Sequence, residues 1–212
     1  MFPRGGTPPI ERSSEVALGD LVADTLRTKY GTQLVFINGG GFRDTVPAAG
    51  YTPANTTLQR PGTTATGPFD VTLGDAMSSL PFPNNVATTY ITGANLWKAL
   101  ENGVSGYPTQ GRFPQISGFA FSFDPTRPEG SRVTSVTLPD GTPIPADDHE
   151  FSVTTLDYMI PGGDGYVGVF DHLRATIRDP YVDALVDGIR ADHNAGKITS
   201  VNRIDGRISR SN

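Results

Sequence analysis

The chain has no cysteine, which excludes disulfides, thiolate metal sites and a cysteine nucleophile but leaves its compartment open. It also lacks any apolar run of about 18 residues, so no segment is expected to cross a membrane as a helix. Histidine is scarce: His149, His172 and His193 are the three present, far apart and in different segments. Hydrolytic metal sites need several such ligands at close spacing. Only Asp147-Asp148-His149 comes near that pattern, and it follows a hairpin turn where charged residues usually just face water, so no metal is assigned to it. Charge is modest too, at 18% of residues and a net −5, with no run of five like charges. A nucleic-acid groove needs clustered Lys and Arg, so nucleic acid is not an expected partner. There is no G-x-S-x-G turn and no P-loop lysine. With no nucleophile-plus-base set to assemble, no catalytic residue is expected in this chain.

What the sequence has in quantity is glycine (25) and proline (18), which predicts turns and long ordered loops rather than a helical bundle. At 212 residues and 36% hydrophobic content, it can bury one sizeable core. A first helix is expected after Ser13 or Ser14 as cap, with Leu18, Leu21, Val22 and Leu26 on one face and Gly31 at its end. A strand follows at 34–37. Thr72 and Asp75 form a capping-box pattern opening a short helix to about Leu80. A strand at 86–91 leads to a helix capped by Thr92. Further strands are expected at 119–123, 133–138 and 150–155, and one ending at Phe170. Asp179-Pro180 predicts the start of a last helix running to about His193. The pattern is mixed α/β (α+β), read as one domain over 11–212 behind a Pro- and Gly-rich linker over 1–10. Residues 44–70 contain no recognisable element and read as an insertion, a lid or a mobile segment.

Three turns concentrate the features of a binding site. In Asn38-Gly-Gly-Gly-Phe-Arg43, glycines let the backbone approach a ligand and the arginine offers a fork suited to phosphate or carboxylate. In Leu80-Pro-Phe-Pro-Asn84, two prolines stiffen the backbone around an aromatic. In Tyr158-Met-Ile-Pro-Gly-Gly-Asp164-Gly-Tyr166, a second aromatic and a carboxylate share a glycine-dense turn, a geometry suited to a sugar diol. Each turn has an ordinary structural explanation when taken alone.

In this order and at this spacing, the three turns resemble the C-terminal domain of the 5'-nucleotidase family. The likeness extends from about Glu11 to Phe170. It takes in Leu18-Gly-Asp-Leu21 and Ala23-Asp24 in the first helix, and Gly111-Arg-Phe-Pro-Gln-Ile-Ser-Gly118. The resemblance implies mixed β-sheets with flanking helices and a nucleotide or nucleoside ligand. Phe82 and Tyr158 would sandwich the base, Asn84 would touch its edge and Asp164 would receive the ribose hydroxyls. Arg12 and Arg43 would hold the phosphate end, with Asn38 near the scissile group. It also implies a partner within the parent protein: an N-terminal metallophosphatase domain carrying two divalent metal ions, with Asp-x-His and Gly-Asn-His-Asp/Glu motifs that this chain lacks. An extracellular, cell-wall or periplasmic parent is implied as well. Tyr158 stands where many relatives have phenylalanine, and the segment from Ala48 to Phe69 is longer than the family pattern. Two other readings are open: a stand-alone nucleoside- or nucleotide-binding module, and a structural domain whose aromatics serve only as core.

Overall fold

The computed structural model describes residues 7–62, 66–197 and 203–211; residues 1–6, part of the expected linker, lie outside them. The fold is mixed α/β. A five-stranded sheet in the order β3-β1-β6-β2-β7 is accompanied by a three-stranded one, β5-β4-β8. The strands are β1 (Leu34–Asn38), β2 (Asn85–Thr92), β3 (Pro114–Ser117), β4 (Ala120–Phe123), β5 (Val133–Thr137), β6 (Glu150–Leu156), β7 (Thr176–Pro180) and β8 (Ile208–Arg210). Parallel pairing joins β1 to β6 and β4 to β8, and the other ladders are antiparallel.

Helix α1 (Ala17–Tyr30) buries Leu18, Leu21, Val22 and Leu26, and it ends at Gly31 in the left-handed region (φ 63°). Its start differs from expectation. Val16 is the N-cap, and its N–H donates to Oε1 of Gln115. Gln115 Nε2 in turn donates to the carbonyls of Glu11 and Ser14. Neither Ser13 nor Ser14 caps the helix, which starts after Val16 with no side-chain cap, and its entry is fixed by a buried glutamine about a hundred residues away that no local rule can foresee. Helix α2 (Leu73–Ser79) does use its capping box: the Thr72 N–H and hydroxyl donate to Asp75 Oδ2 at 2.7 and 2.8 Å. Helix α3 (Gly93–Ser105) is capped by Thr92 Oγ1, which accepts from Asn95 N at 3.1 Å.

Two other expectations are corrected. Residues 166–170 form turns rather than a strand, because Gly162, Gly165 and Gly168 all take positive φ and keep the chain bending. The apolar side chains still reach the core: the Tyr166 and Phe170 rings stand 5.3 and 6.1 Å from Phe36. The strand comes later, as β7, and runs through Asp179-Pro180. Helix α4 (Tyr181–Asn194) therefore starts one residue after the Asp-Pro pattern requires, with Pro180 as N-cap. Asp179 instead accepts from Tyr30 Oη at 2.8 Å and pairs with Lys29 Nζ at 3.0 Å.

Three carboxylates hold the described part of the segment 44–70, Asp70 among them, which accepts the Gln59 N–H at 2.8 Å. Asp44 accepts three backbone N–H groups, from Thr45, Ala49 and Gly50. Fully buried Asp75 receives both terminal nitrogens of Arg60, at 2.8 and 2.6 Å, and the Ala48 N–H at 2.8 Å. Val46 enters the core from this stretch. Few regular backbone bonds are present among the described residues of this stretch, and these side chains take their place.

Candidate functional site

Topology decides where the site lies. Strands β1 and β6 are parallel neighbours, so both leave the large sheet at the same end. Strands β2 and β3 run antiparallel to them and enter at that end, with Val86 opposite Leu156 and Pro114 opposite Asn38. The turn after β1, the one before β2, the one before β3 and the one after β6 therefore meet at the carboxyl ends of the parallel pair, a usual place for a ligand crevice. There they form a cleft of about 340 Å³ lined by Arg12, Asn38, Gly40, Gly41, Arg43, Phe82, Asn84, Gly111, Tyr158 and Asp164. All seven residues singled out from the sequence are among them.

The glycines of the first turn act differently from expectation at two positions. A Cβ on Gly39 would lie 2.0 Å from the Glu11 carbonyl oxygen, and one on Gly40 would lie 2.7 Å from Gly111 Cα. Their N–H groups donate to Phe113 O and Gly111 O at 2.7 and 2.8 Å. These glycines let three stretches of backbone cross at contact distance, which brings Arg12 beside Asn38 and Gly111. Behind Gly41 lies the buried Tyr181 ring.

Phe82 and Tyr158 are 46% and 44% exposed, unusual for large rings. Neither is stacked on another aromatic ring among the described residues, and the Arg43 guanidinium sits 5.8 Å above the Phe82 ring. Their loops are tied together behind the cleft: Asn85 Nδ2 donates to Asp157 Oδ2 at 3.2 Å, and Asp157 N–H to Asn85 O at 2.9 Å. Asp164 stands on a left-handed residue (φ 55°) within the Gly163–Gly165 turn. Its Oδ2 accepts from Asn38 Nδ2 at 2.7 Å and its Oδ1 from the Tyr158 hydroxyl at 3.1 Å. Burial, together with the Asp164 charge, pushes the Tyr158 phenol above its ordinary pKa. Arg12 donates from one terminal nitrogen to Thr109 O at 3.1 Å, while its buried Nε has no partner among the described residues, and neither does Asn38 Oδ1. The cleft thus presents two guanidinium groups and one carboxylate, two exposed ring faces and an unmatched buried acceptor.

Residues that sequence reasoning missed act at one remove. Gln115 fixes the Arg12 segment, Asn85 and Asp157 join the two ring-bearing loops, and Asn102 donates to the Asp164 carbonyl at 3.1 Å. Their partners lie far off in the chain, so no local signal marks them. Asp147 Oδ1 accepts from the His149 N–H of its own loop. Among the described residues no group of three or more His, Asp or Glu is arranged to hold a metal ion.

With this geometry in hand, the sequence matches the family described as 5'-nucleotidase, C-terminal domain, over residues 4–172. The chain belongs to that family. It is 29% identical over 163 residues to the trifunctional nucleotide phosphoesterase protein YfkN of Bacillus subtilis, covering 73% of this chain and 10% of that protein. To the cell wall protein Lmo0130 of Listeria monocytogenes it is 28% identical over 204 residues, covering 93% of this chain and 24% of that protein. Among solved structures, a 5'-nucleotidase precursor from Thermus thermophilus superposes with a TM-score of 0.75 at 27% identity, over 96% of this chain and 37% of its own. The chain therefore spans between a tenth and a quarter of the length of these curated relatives. Family members include nucleotide phosphoesterases, which makes this a domain of a hydrolase family.

Proposed function

We propose that this domain binds a nucleotide and presents its phosphate for hydrolysis by a metallophosphatase domain of the same parent protein. The observation that carries the reading is the convergence of four separate turns on one cleft with two exposed rings, a carboxylate and two arginines. The base lies between Phe82 and Tyr158, where stacking contributes roughly 1–3 kcal/mol and tolerates different bases. Asn84 meets its edge. The ribose diol faces Asp164, in charge-assisted bonds of roughly 1.5–3 kcal/mol each. Arg12 and Arg43 hold the phosphate, with Asn38 beside it. In leaving the Phe82 face to a base, Arg43 exchanges a cation–π contact for a phosphate.

The hydrolytic step, with its two metal ions, belongs to the other domain. What this chain contributes is position. Gripping base and ribose away from the reacting bond orients the phosphorus and removes several kcal/mol of entropic cost from the reaction. A parent outside the cytoplasm, in the wall or the periplasm, accords with the name of the Listeria relative.

Titration of the domain by NMR or calorimetry with nucleosides and nucleotides tests this. One sandwiched base with a few polar contacts gives a Kd of roughly tens of µM to mM. Phe82→Ala and Tyr158→Ala are each expected to weaken binding at least several-fold, and unchanged affinity in both would rule out the sandwich.

A further inference from the structure

We propose that the Tyr158 hydroxyl is a positioning group that orients the Asp164 carboxylate to accept two adjacent hydroxyls, making this cleft selective for ribose over deoxyribose ligands. The inference rests on the nucleotide reading above and adds a specificity device to it.

Asp164 is the only non-glycine residue at positive φ among those described. Such a conformation persists when its surroundings fix it from several sides. Here both backbone groups are held by side chains: the Asp164 N–H donates to the Tyr158 hydroxyl at 3.1 Å, and the carbonyl accepts from Asn102 Nδ2 at 3.1 Å. Asn102 is itself held by Arg112, whose Nη1 donates to Asn102 Oδ1 at 3.1 Å.

The direction of the hydroxyl proton follows from this arrangement. An oxygen that accepts the Asp164 N–H must direct its own proton elsewhere, and Asp164 Oδ1 lies 3.1 Å away. Tyr158 therefore satisfies a backbone donor and a side-chain acceptor of the same residue. Removing the hydroxyl strips both at once, while the ring remains.

A carboxylate offers about four acceptor directions, two on each oxygen. The Tyr158 hydroxyl uses one on Oδ1 and Asn38 Nδ2 uses one on Oδ2. One direction per oxygen is left, and Asp164 lines the cleft. Two acceptors the width of a carboxylate apart match two vicinal O–H donors. A ligand with only one hydroxyl leaves one of them idle.

Calorimetric titration of wild type, Tyr158→Phe and Asn102→Ala tests the inference, with adenosine against 2'-deoxyadenosine and uridine against 2'-deoxyuridine. Wild type is expected to favour the ribonucleoside of a pair, and Tyr158→Phe to shrink that preference by roughly three- to tenfold through loss of one charge-assisted arrangement. Asn102→Ala, whose side chain does not line the cleft, is expected to shrink it in the same direction. A preference in Tyr158→Phe within twofold of wild type overturns the inference. If wild type binds neither member of either pair, the nucleotide reading itself fails, and the ribose preference with it. A ligand-free arm separates the two: ¹³Cζ-tyrosine NMR should show the Tyr158 titration midpoint falling in Asp164→Asn. An unmoved midpoint overturns the hydroxyl–carboxylate contact whatever the ligand.

Discussion

Replacing Asp75 by asparagine removes a buried charge without removing volume. The wild-type carboxyl is fully buried, and burial pushes its pKa up. Against that stand both Arg60 nitrogens, the Thr72 N–H and hydroxyl and the Ala48 N–H, and the donors win: the group is held at about 2, below its ordinary 3.8. A folded value below the unfolded one means stability that is complete above the unfolded value and lost as pH falls through the folded one. That difference corresponds to about 2.5 kcal/mol at neutral pH and to roughly half of it at pH 3. Arg60 is only 20% exposed, so it regains some but not all of its hydration in the variant. Asp75→Asn is therefore expected to cost about 2–3 kcal/mol at pH 7, within the range for breaking a buried pair. With a urea m-value of about 2–3 kcal/mol/M, the midpoint falls by about 1 M. Urea unfolding of both proteins at pH 7, 5, 4 and 3 isolates the effect, because other carboxylates cancel in the difference. A gap that does not narrow between pH 5 and 3, or one under about 0.5 kcal/mol at pH 7, refutes this account of the loop. The staple has a functional side too. It lies between Arg43 and Phe82 in the chain, and Arg43 N–H and Ser79 Oγ bond across the gap, to Ser79 O at 2.8 Å and Thr45 O at 2.7 Å. The variant should lose nucleotide affinity as well as stability.

Gly39→Ala places a methyl group on the Glu11 carbonyl, where only backbone can yield, and should destabilise by about 2 kcal/mol or more while displacing Arg12; thermal unfolding and nucleotide titration measure the two effects. Asp20 is fully buried, with no hydrogen-bond partner for its carboxylate oxygens among the described residues and Arg207 Nε 3.6 Å from Oδ1, and burial, opposed by Arg207 and reinforced by Glu15, pushes it up to about 8. Its raised value means that wild type loses stability as pH rises from about 4 to 8, so Asp20→Asn should be the more stable protein at pH 8 and gain little at pH 4, as denaturant curves at the two values would register. Asp157→Ala cuts the tie to Asn85 behind the two rings and should weaken nucleoside binding several-fold with a smaller loss of stability, seen by comparing calorimetry with the melting temperature.

Local patterns carried much of the fold. The apolar face of α1, its stop at Gly31, the capping box of α2 and the Thr92 cap of α3 each depend on neighbours within a few residues, which is why they can be read from the chain. The same locality explains the errors. The first helix starts at Val16, held by Gln115, rather than at Ser13 or Ser14, the 166–170 stretch curled under its positive-φ glycines, and Asp179 turned to Lys29 and Tyr30, all through partners or conformations outside any short window. The cleft shows the same division. A ring on a proline-stiffened turn, a second ring and a carboxylate on a glycine turn, and an arginine beside three glycines were legible as features of a binding site. That they face one space was decided by the parallel pairing of β1 with β6 and the antiparallel entry of β2 and β3, which bring four loops to one end of the sheet. The bonds that aim Asp164 and close the long loop on Asp75 span up to 126 residues. Sequence supplied the chemical groups; only chain folding, which brings distant segments within hydrogen-bond reach, could give them direction.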